Sequence, residues 1–264
     1  MLTLILTRHG RAAADDIMLG GQLDVPLTAD GRAEAEALGR RLAGIRIDRI
    51  IASPMIRALE TAQIVAAGRP IEVEERLREL DYGRWEGLTY PEIEAVDPAV
   101  RVRWEHDPAA THSPGGESGD DVAARALDFL VDLLAAELPA PAESAGGVQA
   151  GPPGGAASST GRFGAGASAR HSPDPGGSRA IAPESEADAE RERRVLVVAH
   201  GTFNRILMCV ALGVPVCDYR RRFLQDRANL TVLIYERGDT PDGAQLALAN
   251  DVGHLRSPGQ APWG

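Results

Sequence analysis

The residues best suited to chemistry lie at the start of the chain. Thr7-Arg8-His9-Gly10 follows Met1-Leu2-Thr3-Leu4-Ile5-Leu6, a short apolar run. A run of that length ending at a glycine predicts a buried strand. Such a strand delivers an arginine and a histidine onto the turn at its carboxyl end, where ligands bind in open α/β sheets. The pattern returns late in the chain, where Arg194-Val195-Leu196-Val197-Val198-Ala199 ends in His200-Gly201. Two strands that each finish in His-Gly predict two imidazoles facing one ligand. Arg57 joins them from the first turn of a helix predicted over Met55 to Ala67. A positive charge there opposes the helix dipole, and an anion facing it explains the position.

These residue types suit phosphoryl transfer. A neutral imidazole attacks phosphorus and carries the group as a phosphohistidine. Arg8 and Arg57 supply planar donors that fit phosphate oxygens in pairs. Positive donors around the equatorial oxygens lower the barrier. The departing alkoxide needs a proton, which a carboxylic acid supplies. The loop Leu77 to Gly87 carries Glu79, Asp81 and Glu86 beside Tyr82 and Trp85. Acids next to bulky apolar groups are candidates for a raised pKa. No Asp/His cluster has metal-ligand spacing, so neither a metal nor an organic cofactor is expected. All 28 basic side chains are arginine, which excludes a Schiff-base or P-loop lysine.

The elements that must position these groups alternate as in an α/β protein. Thr28 is a plausible N-cap for a helix with Ala35, Leu38 and Leu42 on one face. Ile47 to Ala52 reads as a strand ending at Ser53-Pro54, and the following helix turns Ile56, Leu59 and Ile64 inward. Ile71 to Val73 is a short strand candidate. Residues 88–116 read as helix and loop. Ser118 and Asp121 resemble a capping box for a helix from Gly119 to Leu138. Glu117 fits either a cap or the pocket. From Pro139 to about Glu190, Pro, Gly, Ala and Ser dominate and large apolar side chains are nearly absent. Such a stretch cannot offset the entropy of ordering, so a disordered insert is predicted at about 139–190 within a single domain spanning 1–264. A helix to Leu212 follows His200-Gly201, and its N-terminus would cradle an anion. Asn229 to Tyr235 and Ala244 to Leu248 read as the last strands.

Composition narrows the partners. An apolar fraction of 44% over 264 residues is enough for a sizeable core. A net charge of −10 argues against nucleic acid. No stretch approaches a membrane span, and the N-terminal run lacks the basic flank of a signal peptide. Cys209 and Cys217 match no zinc or redox spacing. The expectation is a cytoplasmic protein whose partner is a small phosphorylated metabolite. Monomer and homodimer both stay open.

Taken together, the motifs resemble the histidine phosphatase superfamily, in its phosphoglycerate mutase-like branch. The resemblance rests on Arg8-His9-Gly10, on Asp24-Val25-Pro26-Leu27-Thr28 with Gly31, and on Ser53-Pro54 with Arg57-Ala58 and Thr61-Ala62. It continues through Glu79 with Gly83-Arg84-Trp85-Glu86-Gly87, Gly115-Gly116-Glu117-Ser118, His200-Gly201 and Asn250-Asp251 with His254-Leu255. It implies an α/β fold, a three-layer α/β/α sandwich with a mostly parallel central sheet. It also implies His9 as the phosphorylated nucleophile and Glu79 as the proton donor that later activates water. Arg8, Arg57 and His200 match the phosphate pocket, Gln22 the substrate loop, and Thr202 follows the second His-Gly. The sequence departs from the family at Asp15, which stands where relatives carry a phosphate-contacting asparagine. An acid there repels a dianion, so Asp15 is expected to turn outward. Phe203-Asn204 before Arg205 also predicts a different pocket shape. Phosphomonoester hydrolysis is the expected activity, because the stretch between Glu79 and His200, insert aside, is shorter than in mutases. The alternatives are mutase-type phosphoryl transfer and a non-catalytic module that binds phosphate esters.

Overall fold

Alternation along the first strand sets the layers. In the computed structural model, which describes residues 1–13, 20–138 and 192–256, strand β1 spans Leu2–Arg8. Leu2, Leu4 and Leu6 enter one apolar cluster and Ile5 enters the other. Strand β4 (Arg193–Ala199) divides in the same way, with Val195, Val197 and Ala199 on one face and Leu196 and Val198 on the opposite face. This is the two-residue period of a strand buried on both sides. A one-residue slip would exchange the layers, and each fully buried leucine is worth about 2 kcal/mol.

The central sheet has six strands in the order β3-β2-β4-β1-β5-β6. Strands β2 (Arg49–Ala52) and β3 (Glu72–Val73) run parallel to their neighbours. Strands β5 (Leu230–Tyr235) and β6 (Gln245–Asp251) close the far edge antiparallel. Helices α1 (Ala29–Leu42) and α2 (Ile56–Ala66) cover one face through Leu38, Leu42, Ala58, Ala62 and Val65. Helices α5 (Gly119–Glu137) and α6 (Gly201–Ala211) cover the other through Val122, Phe129, Leu130, Phe203 and Ile206. Between them in sequence come α3 (Tyr90–Val96) and α4 (Pro98–His106), and α7 (Tyr219–Arg222) follows α6. The expected three-layer, mostly parallel α/β architecture is therefore present.

Local signals mostly hold. Thr28 caps α1 by accepting the Gly31 N–H, and Ser118 with Asp121 forms a complete capping box. Ile56 departs from expectation. It is 40% exposed, because α2 turns Arg57 rather than Ile56 inward at its first turn. Asp15 and the predicted insert at 139–190 lie outside the described residues, as does the end of the chain after Arg256. Among the described residues, no helix is long and apolar enough to cross a membrane.

Candidate active site

Sheet register brings the two histidines together. Arg8 pairs with Ala199 across parallel strands, so the next residue on each strand is a histidine at the sheet's carboxyl end. The His9 N–H bonds to the Ala199 carbonyl at 2.9 Å, and the two imidazoles lie 5.2 Å apart between ring centres, tilted by 59°. Both are buried. His9 Nδ1 lies 2.7 Å from the Gly10 carbonyl oxygen. A carbonyl only accepts, so Nδ1 carries the proton. Nε2 then holds the lone pair, and it accepts from Arg57 Nε at 3.2 Å. Burial first, then the charges of Arg8 and Arg57, hold the His9 pKa well below its ordinary value. The imidazole is thus neutral, with the Nε2 lone pair turned to the Arg57 guanidinium.

His200 takes the complementary role. Its Nε2 lies 2.7 Å from Ser53 Oγ, which in turn accepts the Met55 N–H. The serine hydroxyl can therefore donate to Nε2, which leaves the proton of the neutral ring on Nδ1. That buried Nδ1 has no hydrogen-bond partner among the described residues. It is an unsatisfied buried donor beside the His9 ring. Burial, followed by the Arg57 charge, lowers the His200 pKa well below normal.

Arg57 is 2% exposed, and beyond its bond to His9 it donates to the Leu23 and Gly21 carbonyls at 2.7 and 2.8 Å. Those bonds fix the guanidinium against His9 and tether the loop that carries Gln22. Arg8 donates through Nη1 to the Gln225 carbonyl at 3.2 Å, and its backbone N–H bonds to Asn229 Oδ1. Its stem runs beside Gly201, where a Cβ would lie 3.3 Å from Arg8 Nε.

Glu79 reaches the pocket as a cap for α6. His200, the residue that precedes this helix, offers no side-chain cap. Glu79 supplies one instead, because Oε2 accepts the Thr202 N–H at 3.0 Å and Oε1 accepts the Phe203 and Leu80 N–H groups at 2.9 Å. These acceptors satisfy amides that the start of a helix otherwise leaves orphaned. Thr202 Oγ1 meets the Tyr82 hydroxyl at 3.2 Å. Gln22 Nε2 donates to the Glu79 carbonyl at 2.6 Å, so it braces the acid's backbone. Within the same loop, burial raises the pKa of Glu86, which accepts the Gln22 N–H.

Several supporting contacts escape a reading of sequence alone. Thr61 joins Gly10 to α2 by accepting the Gly10 N–H and donating to the Arg57 carbonyl. Arg125 pairs through both carboxylate oxygens with Glu117 and donates to the Arg76, Arg78 and Glu79 carbonyls. Glu117 is thus a structural partner of the Glu79 loop. The signal for Arg125 was its position on the apolar stripe of α5, between Val122 and Phe129.

The chain is similar to known proteins along most of its length. A family model described as the histidine phosphatase superfamily, branch 1, matches residues 4–140 and 177–248. Glucosyl-3-phosphoglycerate phosphatase of Mycolicibacterium vanbaalenii is 37% identical over 135 residues, which cover 50% of this chain and 59% of that protein. The chain therefore spans under two thirds of the length of that relative. The Salmonella choleraesuis protein named "Probable phosphoglycerate mutase GpmB" is 34% identical over 261 residues, 98% of this chain and 97% of that protein. Among solved structures, Bacillus stearothermophilus YhfR superposes with a TM-score of 0.70 at 27% identity, covering 97% of this chain and all of that one. With His9, Arg57, Glu79 and His200 assembled at one end of such a sheet, the chain belongs to the histidine phosphatase superfamily, branch 1.

Proposed function

We propose that this chain hydrolyses small phosphomonoesters through a phosphohistidine on His9, without a metal. The phosphate enters among Arg8, Arg57 and His200. His9 Nε2 attacks phosphorus, the ester P–O bond breaks, and its electron pair leaves on the alcohol oxygen, which takes a proton from Glu79. Glu79, now a carboxylate, accepts a proton from water as the water oxygen attacks phosphorus. The N–P bond breaks, and inorganic phosphate and neutral His9 result. The observation that carries this reading is the Nε2 lone pair of neutral His9, held by the Gly10 carbonyl 5.2 Å across from His200. Removing one donor aimed at the phosphoryl oxygens costs on the order of 3 kcal/mol of barrier, by analogy with oxyanion holes.

The names of two relatives support a narrower reading of the ester. Glucosyl-3-phosphoglycerate and phosphoglycerate, named there, are phosphate esters of hydroxy acids. We infer a substrate of that class, a small phosphorylated metabolite. Return of the phosphoryl group to a second hydroxyl is the competing reading, favoured by the end-to-end match to the Salmonella protein. Phosphate release from p-nitrophenyl phosphate in EDTA tests the proposal. Wild type should turn over and His9→Ala should not, with an unchanged far-UV spectrum. Turnover that persists in His9→Ala, or disappears in EDTA, contradicts it. An isomerised phosphoglycerate with no phosphate released favours the mutase.

A further inference from the structure

The motif Asn250-Asp251 with His254-Leu255 has no part in the reaction written above, yet it is bonded to the loop that holds Arg8. That loop, residues 225–229, meets Arg8 at three points. The Gln225 carbonyl accepts from Arg8 Nη1 at 3.2 Å, and Asn229 Oδ1 accepts the Arg8 N–H at 3.1 Å. The Ala228 N–H donates to the Arg8 carbonyl at 2.9 Å, on the peptide that leads into His9. The loop also lies close to the nucleophile. The His9 pKa, lowered first by burial, is lowered further by the charge of Arg227 from within this loop.

Local preference does not give the loop this shape. Ala228 has a φ of 48°, a left-handed conformation unfavourable for a residue with a Cβ. Such a conformation persists where the surroundings over-determine it. The Ala228 N–H is taken by Arg8, and its carbonyl accepts from His254 Nε2 at 2.9 Å. A carbonyl only accepts, so the His254 ring carries its proton on Nε2. Asn250 holds the other end of the loop. Its Oδ1 accepts the Asp226 N–H at 2.7 Å, and its Nδ2 donates to Asp226 Oδ2 at 2.8 Å. The Asn250 N–H donates to Thr231 Oγ1, which also accepts from the Gln225 and Asn229 side chains. Sheet register places these residues beside the loop. Asp251 pairs with Leu230 and Leu248 with Val232, so Ala249 and Asn250 together oppose Thr231. The result is a β-bulge, with Asn250 at a φ of 48° that asparagine tolerates.

We propose that Asn250 and His254 are positioning residues for the anion pocket, which clamp the loop 225–229 and through it hold the Arg8 guanidinium ready for phosphate. This proposal rests on the reading above in one respect, that Arg8 is a phosphate ligand. A guanidinium recognises an anion through a rigid planar fork, so the direction of its plane decides how well the pair forms. The Gln225 carbonyl sets that direction, and the bulge and the His254 ring fix the loop that carries the carbonyl. Without the clamp, the ligand must bear the cost of ordering both loop and arginine.

The test titrates inorganic phosphate into the full chain by calorimetry, in EDTA. Asn250→Gly keeps a backbone at ease in the left-handed region and removes only the side chain. His254→Phe keeps a ring and removes the donor. Each should weaken phosphate binding by about tenfold, the loss expected when one charge-assisted contact is loosened. His254→Gln, whose amide donates in place of Nε2, should stay within about twofold of wild type. In an Arg8→Gln background, His254→Phe should change the affinity by less than about twofold, because the group it positions is gone. A folding defect lowers the number of sites titrated and leaves the affinity of the rest intact. Wild-type affinity in both Asn250→Gly and His254→Phe overturns the clamp, and so does an undiminished loss in the Arg8→Gln background. Because binding is read without turnover, the two proposals separate. Phosphate binding that both variants weaken, in a protein that hydrolyses no ester, upholds the clamp and sinks the phosphatase. Hydrolysis with unweakened variants sinks the clamp alone. A wild type that binds no phosphate sinks both.

Discussion

At the residue scale, the site depends on imidazoles kept neutral by burial beside arginines. His9 and His200 both have pKa values well below normal, with burial as the first cause. In the unfolded chain they titrate near 6.5. Below that pH the unfolded state binds protons that the native state refuses, so stability falls as pH drops. The effect is absent above the unfolded value. Its slope reaches about 1.4 kcal/mol per pH unit for each histidine that stays neutral. The carboxylates with lowered pKa, such as Glu72 and Asp121, act at lower pH through the same linkage. Urea midpoints at pH 7 and pH 5 should therefore differ strongly in the wild type, and less in His9→Gln/His200→Gln. An equal pH dependence in both proteins would remove the assignment.

At the element scale, the loop that follows β1 packs backbone to backbone against α1, next to His9. A Cβ on Gly10 would run into the Gly31 carbonyl, and one on Gly31 into the Arg11 carbonyl. Thr28 caps α1 beside this contact and bonds back to the Arg11 carbonyl. Gly31→Ala forces the strand end and the helix start apart, so about 1–3 kcal/mol of stability should be lost. Turnover should fall further than that loss of folded protein explains, because His9 and Gly10 move with the loop. Chemical denaturation and kcat measured on the folded fraction check this. A Gly31→Ala protein with wild-type kcat would mean that the contact does not position the nucleophile. The Glu79 cap on α6 follows the same logic, since the side chain that starts the helix is also the one that carries the proton in the proposed reaction.

At the scale of the whole molecule, an ion-pair cluster joins the two sides of residues 139–190. Glu137, near the end of α5, binds Arg49 at 2.6 Å and Arg193, at the start of β4, at 2.8 Å. The end of α5 and the start of β4 are held side by side. Replacing 139–190 with about six Gly/Ser residues should therefore preserve fold and turnover. Loss of p-nitrophenyl phosphate turnover in a folded deletion protein would give that stretch a part in the site. The two facing histidines and the layered sheet were readable in the sequence because each histidine follows a strongly patterned strand. The braces were not. Arg8 is held by Gln225 and Asn229, more than 200 positions away, and Arg125 reaches Glu79 across 46. Such partners follow from tertiary packing, which no local pattern encodes. Ile56 was misplaced for a related reason, since the pocket rather than helix periodicity decides which residue α2 turns inward.

The central claim is that His9 carries the phosphoryl group, and the most direct test is to trap it. Glu79→Gln should react quickly with p-nitrophenyl phosphate, whose leaving group needs no acid, and then stall because water is not activated. A burst of p-nitrophenol equal to the enzyme concentration should appear. An alkaline quench and peptide mass spectrometry should place the phosphate on His9. The absence of a burst, or a phosphate on any other residue, would contradict the account.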